Sequence, residues 1–462
     1  MSNQNLENFS FKKYAWNQFK KDKIALICLY LLFLLIGIAV LAPVIANERP
    51  LYAEYKGYTL YPAFSSESRT DSIFKENGSL EEVLQYDITD WRTLDFKKVV
   101  WPLIPYSPQG MDRYNRDYVS PSGKQRFKNK DGEITEAPKK FRHLLGTDGI
   151  GRDLASGLIH GTRISLMVGL VSMGIASLIG IVLGALAGFF GDNKLKMPRI
   201  KYHFTLIGLF FGFFYGFGQR KYTISEGFSE GIFFISSSPS KSSYNIFDVF
   251  FIGGGVIEIL ISVLVVVLSV TIFRFISRLI KINKLQEETY VPIDTFVSRG
   301  IELLNSIPRL LLIITITAVV ERSIWIVMII IGITGWTGIA RFTRAELLRI
   351  RSLEFVQAAQ SLGFSSARTI FKHALPNALA PVFVSIAFGI ASAILIESGL
   401  SFLGIGVPDD IVTWGSLLNL GRQNLEAWWL IIYPGMAIFL TITIYNMIAE
   451  ASRDALDPRL KS

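Results

Sequence analysis

Apolar runs long enough to cross a lipid bilayer constrain this chain more than any other feature. The hydrocarbon layer is about 30 Å thick, so a crossing helix needs about 20 predominantly apolar residues. Residues 24–46 form such a run, preceded by Lys12, Lys13, Lys20, Lys21 and Lys23. A signal peptide shares the basic start, but its apolar part covers only about 7–15 residues. The run is therefore expected to be an uncleaved span with a cytoplasmic N-terminus. Further apolar runs lie at 164–190, 202–218, 249–273, 296–320, 323–340, 378–400 and 428–449. Composition agrees: 18% of residues are charged, against about 25% in a soluble domain.

Lys and Arg concentrate on the cytoplasmic side of membrane proteins. The cluster Arg274, Arg278, Lys281 and Lys284, the stretch 341–376 with Arg341, Arg344, Arg349, Arg351, Arg368 and Lys372, and the tail with Arg453, Arg459 and Lys461 all read as cytoplasmic. Eight crossings with both termini inside satisfy this. The net charge of +9 then follows from orientation, without nucleic acid. The organisation expected is 1–46 (cytoplasmic start and first span), 47–162 (external loop or lobe), 163–192 (second span), 193–291 (insert with a membrane hairpin) and 292–462 (core spans around a cytoplasmic loop, 341–376). Run 202–218 is short, and a re-entrant or interfacial placement stays open for it. Gly180, Gly184 and Gly188 share one helix face, as do Gly208, Gly212 and Gly216, a spacing that admits a close neighbour. Gly212 is expected to pack against 249–273.

The chemistry expected of an enzyme is missing from the sequence. There is no phosphate-binding G-x-x-x-x-G-K-[ST] loop, no His-Glu-x-x-His and no G-x-S-x-G. One cysteine, Cys28, excludes a disulfide framework, and the scattered His143, His160, His203 and His373 suggest interfacial or capping roles rather than metal ligands. No cofactor and no metal is expected. Glu258 and Glu397 fall inside apolar runs, where a charge ordinarily faces protein or water. His203 is a conceivable partner for Glu258.

The stretch 341–376 is the informative one. Glu354-Phe-Val-Gln-Ala-Ala-Gln-Ser-Leu-Gly363, followed by Phe371-Lys-His-Ala-Leu-Pro-Asn377, resembles the EAA loop of ABC importer permeases. Gln357, Ala358 and Ala359 stand for its first triplet, Gly363 falls at the required spacing, and Leu375 and Pro376 close it. Gln357 replaces the acidic residue of that pattern and His373 an aliphatic one. Gly146, Thr147, Asp148, Gly151, Arg152 and Asp153, in Leu145–Asp153, are similar to the entry to the second span in the C-type subunit of the peptide-type branch (dipeptide, oligopeptide and nickel permeases). The stretch 397–406, with Glu397 and Gly404, and Thr413-Trp-Gly415 are similar to its fifth span and following loop. Segments 47–142 and 193–291 lie outside the resemblance, although Trp101-Pro-Leu-Ile-Pro-Tyr-Ser107 resembles a microcin C/oligopeptide subgroup.

The resemblance implies an all-α polytopic membrane protein of the MetI-like type I fold, with six core spans plus an extra hairpin. It implies a transmembrane subunit that imports short peptides or peptide-like solutes. The partners implied are a homologous second permease, two ATPase subunits, an extracytoplasmic binding protein and the bilayer of the inner membrane. ATP hydrolysis would occur in the ATPases, so this chain would not be an enzyme. Glu354, Gln357, Ala358, Ala359, Gly363, Leu375 and Pro376 would form the coupling loop. Glu397 and Gly404 would serve the path or helix packing. The alternatives are an ATP-independent channel or secondary transporter, and a membrane-embedded enzyme.

Overall fold

The computed structural model describes residues 11–456 except 67–68, 75–79, 87, 130–131, 221, 225–253, 281, 283–284 and 321. Lys281, Lys284, Arg459, Lys461 and most of the Ser-rich stretch before residue 249 lie outside the described residues. The helices are α1 (Phe11–Phe19), α2 (Lys23–Ile45), α3 (Leu154–Phe190), α4 (Arg199–Gly218), α5 (Gly254–Leu279), α6 (Ile293–Asn305), α7 (Arg309–Val319), α8 (Ile324–Ile350), α9 (Glu354–Ser361), α10 (Ser366–Phe402), α11 (Trp414–Gln423) and α12 (Trp429–Leu456). Seven are long and apolar enough to cross a membrane, namely α2, α3, α4, α5, α8, α10 and α12.

The expected span at 296–320 is not one helix. It is α6 and α7, bent by 79° at the intervening break. Pro308 explains the break: it has no N–H to donate and biases Ile307 away from helical backbone. The pair still lies along α8 on both sides of the bend. Arg344 holds Asp294, Thr337 meets Asn305, and Arg309 reaches Thr334 and Ile331. The partner positions on α8 fall as those on α6 and α7 rise, so the broken span is antiparallel to α8.

α3 and α8 run parallel. Gly180, Gly184 and Gly188 meet Ile339, Ala340 and Arg344 in order, and Gly332 returns the contact at Ser172 and Ile175. The main core gathers between them and α10, around Val168, Ala176, Met328, Ile331, Ile339 and Ile394. Asp153 caps α3 by accepting from Ser156 N at 2.6 Å. The helix therefore starts at Leu154, and 154–162, read from sequence as part of the lobe, are its first turns. Likewise 341–350, read as loop, are the last turns of α8, and 366–376 the first of α10. Only 351–365 stands between the two.

Residues 193–291 leave the core and return to it at one point. Strands Lys196–Pro198 and Glu288–Tyr290 pair antiparallel as a stem, and α4 and α5 rise from it as a hairpin. Gly208, Gly212 and Gly216 lie on Val270, Val266 and Ser262. α4 thus follows α5 along its described length, as the glycine spacing suggests. Glu258 pairs with Arg220, not with His203. Entry and exit at one stem leave the direction of the core spans unchanged.

The remaining β structure belongs to the lobe between α2 and α3. Three short strands in the order Tyr58–Leu60, Tyr52–Tyr55, Lys98–Val100 form a sheet over Tyr86, Trp91 and Leu84. At the opposite end of the molecule the end of α1 and the start of α2 lie against the end of α12, through Phe19, Ala25, Ala451 and Ala455.

Candidate functional site

At the end away from the lobe, α9 is a two-faced helix of eight residues. Val356 and Ala359 are buried, and Val356 packs into a cluster with Phe189, Leu347, Ile350 and Ile370. Glu354, Phe355, Gln357 and Ala358 face outward and are exposed. Of the small residues picked out from sequence, Ala358 thus points away from the chain and Ala359 into it. Gly363 ends the helix with φ +77°, a conformation in which a side chain is strained. A Cβ there would meet open space, so backbone shape and not crowding calls for glycine. The Phe364 ring behind it is stacked on His373, with the Arg368 guanidinium 4.3 Å from its centre. A π turn, Thr369–Ala374, precedes the regular helix that resumes at Leu375, which places Pro376 in a first turn where a missing N–H is tolerated. Leu375 is buried and Pro376 exposed.

The inner face of α9 therefore rests on the ends of α3, α8 and α10 together.

At the lobe end the two other motifs meet each other. Asp148 accepts from Ile150 N, Arg152 N and Arg152 Nε, the last at 2.7 Å. Thr147 donates to Asn115 O at 2.8 Å, and its carbonyl accepts from Trp429 Nε1 at 3.0 Å. Gly151 has φ +89°, and a Cβ there would lie 2.2 Å from the Asp112 carbonyl oxygen. Gly146, also at positive φ, is closed in by Val119 and Trp429. The motif thus ties the lobe, the start of α3 and the start of α12 into one knot. Asp148, Arg152 and Asp153 share a cavity of about 420 Å³ with Ser401, Gly404, Val412 and Asn419. Glu397 sits beneath, fully buried, and accepts from Ser401 Oγ at 2.7 Å, with Ser398 and Thr413 also within reach of its carboxyl group. Gly415 lets α11 lie on α10, since a Cβ would come within 2.4 Å of Ser398 O. These contacts give Glu397 a helix-packing position.

His143 was not expected to matter beyond capping. Its Nδ1 lies 2.8 Å from Asp153 Oδ2 and its Nε2 3.2 Å from Asp112 Oδ2, and its ring stacks on Tyr106. Burial alone would lower its pKa, but the two carboxylates raise it above the ordinary 6.5. Asp112 and Asp153 are 31 and 10 residues away, separations that no local pattern links. Of the other histidines, His160 Nε2 lies 3.0 Å from Ala46 O, and His203 packs on Tyr202. Cys28 is buried. Among the described residues no group of His, Cys, Asp and Glu is placed to hold a metal ion.

α9 lies in a part of the chain that a known protein family shares, whereas Gly146–Asp153 lies outside both family matches. Residues 290–462 match the binding-protein-dependent transport system inner membrane component family. Residues 10–62 match the N-terminal transmembrane domain of oligopeptide transport permease C. The chain is 24% identical over 447 residues to the inner membrane ABC transporter permease protein YejE of Escherichia coli, covering 96% of each. That alignment includes most of the lobe and of the hairpin insert, which are therefore not peculiar to this chain. It is 34% identical over 209 residues to a putative peptide permease protein of Brucella ovis, covering 45% of this chain and 67% of the relative. A putative peptide transport system permease protein of Brucella suis is 40% identical over 173 residues, 37% of this chain and 58% of the relative. With α9 and its glycine stop on one end of a helical bundle and the match running through every core span from 290 onward, this multi-pass membrane protein belongs to the peptide-type branch of the ABC importer permeases.

Proposed function

We propose that this chain is one of two homologous permease subunits of an ATP-driven importer, with α9 as its contact to an ATPase. Two ATPase subunits and an external binding protein complete the assembly, and short peptides or peptide-like solutes are the cargo. The lobe lies outside the inner membrane, and both termini and α9 lie in the cytoplasm. The single observation that carries this reading is the division of α9: Gln357, Ala358 and Gly363 are exposed, while Ala359 is buried and Val356 packs with Phe189, Leu347 and Ile370 at the ends of three spans. A short exposed helix with Ala358 on its outer face fits a groove in a partner, and its inner face delivers the push to α3, α8 and α10.

In this mechanism ATP draws the two ATPases together and carries both coupling helices with them. The α3–α8 pair moves as a unit, because its glycine contacts leave no side chains to slide. The knot around Asp148 and Asp153 stays with the lobe end, where the binding protein docks, and Glu397 holds α10 to α11 beside it. The test is co-purification. An ATPase pair is expected to accompany the wild-type chain and to be lost when 354–363 is replaced by an unrelated helix of equal length. An unchanged ATPase yield would refute the assignment of α9.

A further inference from the structure

Arg309 opens α7, directly after the Pro308 break. It donates from NH2 to the Ile331 carbonyl at 2.9 Å, and its Nε lies 3.4 Å from the Thr334 hydroxyl. These partners set the guanidinium roughly 10–15 Å along α8 from its first residue, near the middle of a hydrocarbon layer of about 30 Å. Gly335 makes its seat, since a Cβ there would lie 2.8 Å from NH2. Its partners are neutral, and no carboxylate among the described residues acts on it. A charge at that depth is costly and ordinarily faces a counter-ion or a polar path.

The guanidinium borders a cavity of about 570 Å³ walled mainly by apolar groups such as Met173, Phe342 and Phe388, with Arg453 at its α12 side. A second opening of about 340 Å³ also contains Arg309 and continues to Arg341. Arg309 thus lines both openings, with Arg453 in one and Arg341 in the other, and no carboxylate among the described residues lines either of them.

We propose that Arg309 is a specificity-determining residue of the translocation path, binding the carboxylate of a passing solute. This rests on reading the chain as a permease. The guanidinium plane matches a carboxylate in a forked pair. The surrounding apolar wall strengthens the attraction, and the neutral partners fix the fork without satisfying its charge. Arg341 and Arg453 favour the same sign of charge toward the α9 end.

The experiment uses the complete importer, with its binding protein, in phosphatidylcholine vesicles. Uptake is compared for one peptide with a free C-terminal carboxylate and for its C-terminal amide, chosen for equal capture by the binding protein. Wild type is expected to favour the free acid by about tenfold, the size of one charge-assisted contact. R309Q removes the preference, and R309K keeps part of it. Equal wild-type uptake of the two peptides overturns the proposal, and this holds even if R309Q fails to accumulate. An undiminished preference in R309Q also overturns it. Repeating the assay with added phosphatidylglycerol separates solute from lipid headgroup. An Arg309 effect that follows the anionic lipid and ignores the peptide terminus is evidence against the solute role. Absence of ATP-driven uptake of either peptide by wild type would instead overturn the permease reading itself, and this proposal with it.

Discussion

Gly184 lies so close to Ala340 that a Cβ on the glycine would come within 2.5 Å of the Ala340 carbonyl oxygen. The backbone of α3 thus touches the backbone of α8, and no side-chain adjustment relieves an insertion there. Gly174, on the same helix, has nothing within 4 Å. Gly184→Leu is therefore expected to destabilise the bundle by about 3 kcal/mol or more, at the upper end for overpacking, whereas Gly174→Leu stays within about 0.5 kcal/mol. Thermal unfolding of the two purified variants in detergent measures this, and equal midpoints would remove the argument for backbone contact.

The buried Asp112–His143–Asp153 cluster gives the lobe a pH dependence of known sign. The raised His143 pKa means that its contribution is fully present below the ordinary 6.5 and is lost as pH rises through the folded-state value. Asp112 runs the other way. Burial pushes its pKa up, but hydrogen bonds with His143 and Asn115 hold it below the usual carboxylate value. Its contribution is therefore present above the unfolded pKa and fades as pH falls through the folded one. His143→Gln should cost roughly 3–5 kcal/mol near pH 6, because it leaves two buried carboxylates without a cation. The gap from wild type should narrow as pH climbs toward 9. Unfolding midpoints across that range test it, and a constant gap would mean that protonation of His143 plays no part.

The hairpin gives a different outcome. A Cβ at Gly212 would lie 2.8 Å from Val266 Cα, yet α4 and α5 stand on their own stem. Gly212→Leu is expected to lower accumulation and thermal stability, with an overpacking cost of about 1–3 kcal/mol. Uptake per assembled complex should remain near wild type. Loss of uptake from fully assembled complexes would show that the hairpin takes part in transport.

The coupling helix should respond to bulk on its outer face. Ala358→Trp adds no intrachain clash, and Gly363→Trp adds only the strain of a positive φ, about 1–2 kcal/mol. Both variants should insert, and both should hydrolyse ATP with little uptake. Gln357 donates to Ser352 O at 3.2 Å from an exposed position, so Gln357→Glu is expected to fold normally and retain transport. ATPase activity and uptake are measured together in vesicles. Wild-type coupling in both Trp variants would reduce α9 to a tether.

Apolar run length picked out the segments able to cross before any contact was known, because a bilayer requires about 20 residues per helix wherever they pack; seven described helices meet that requirement, or eight if the bent pair α6–α7 is one span. The i, i+4 glycines determined which faces would meet a neighbour. For Gly208, Gly212 and Gly216 the partner was legible too, since an adjacent apolar run was available. The short helix and its glycine stop were legible because their spacing is local: Ala359 lies on α9 and Gly363 ends it. Other features depended on tertiary structure alone. The parallel pairing of α3 with α8 joins segments about 150 residues apart, and glycine spacing says nothing about which distant helix arrives. The bend at Pro308 was hidden because hydropathy averages across a break that leaves composition unchanged. His143 lies between carboxylates from two parts of the chain, and Glu258 pairs with Arg220 across a hairpin. A charge finds its partner through three-dimensional proximity, so one-dimensional spacing carries no record of it.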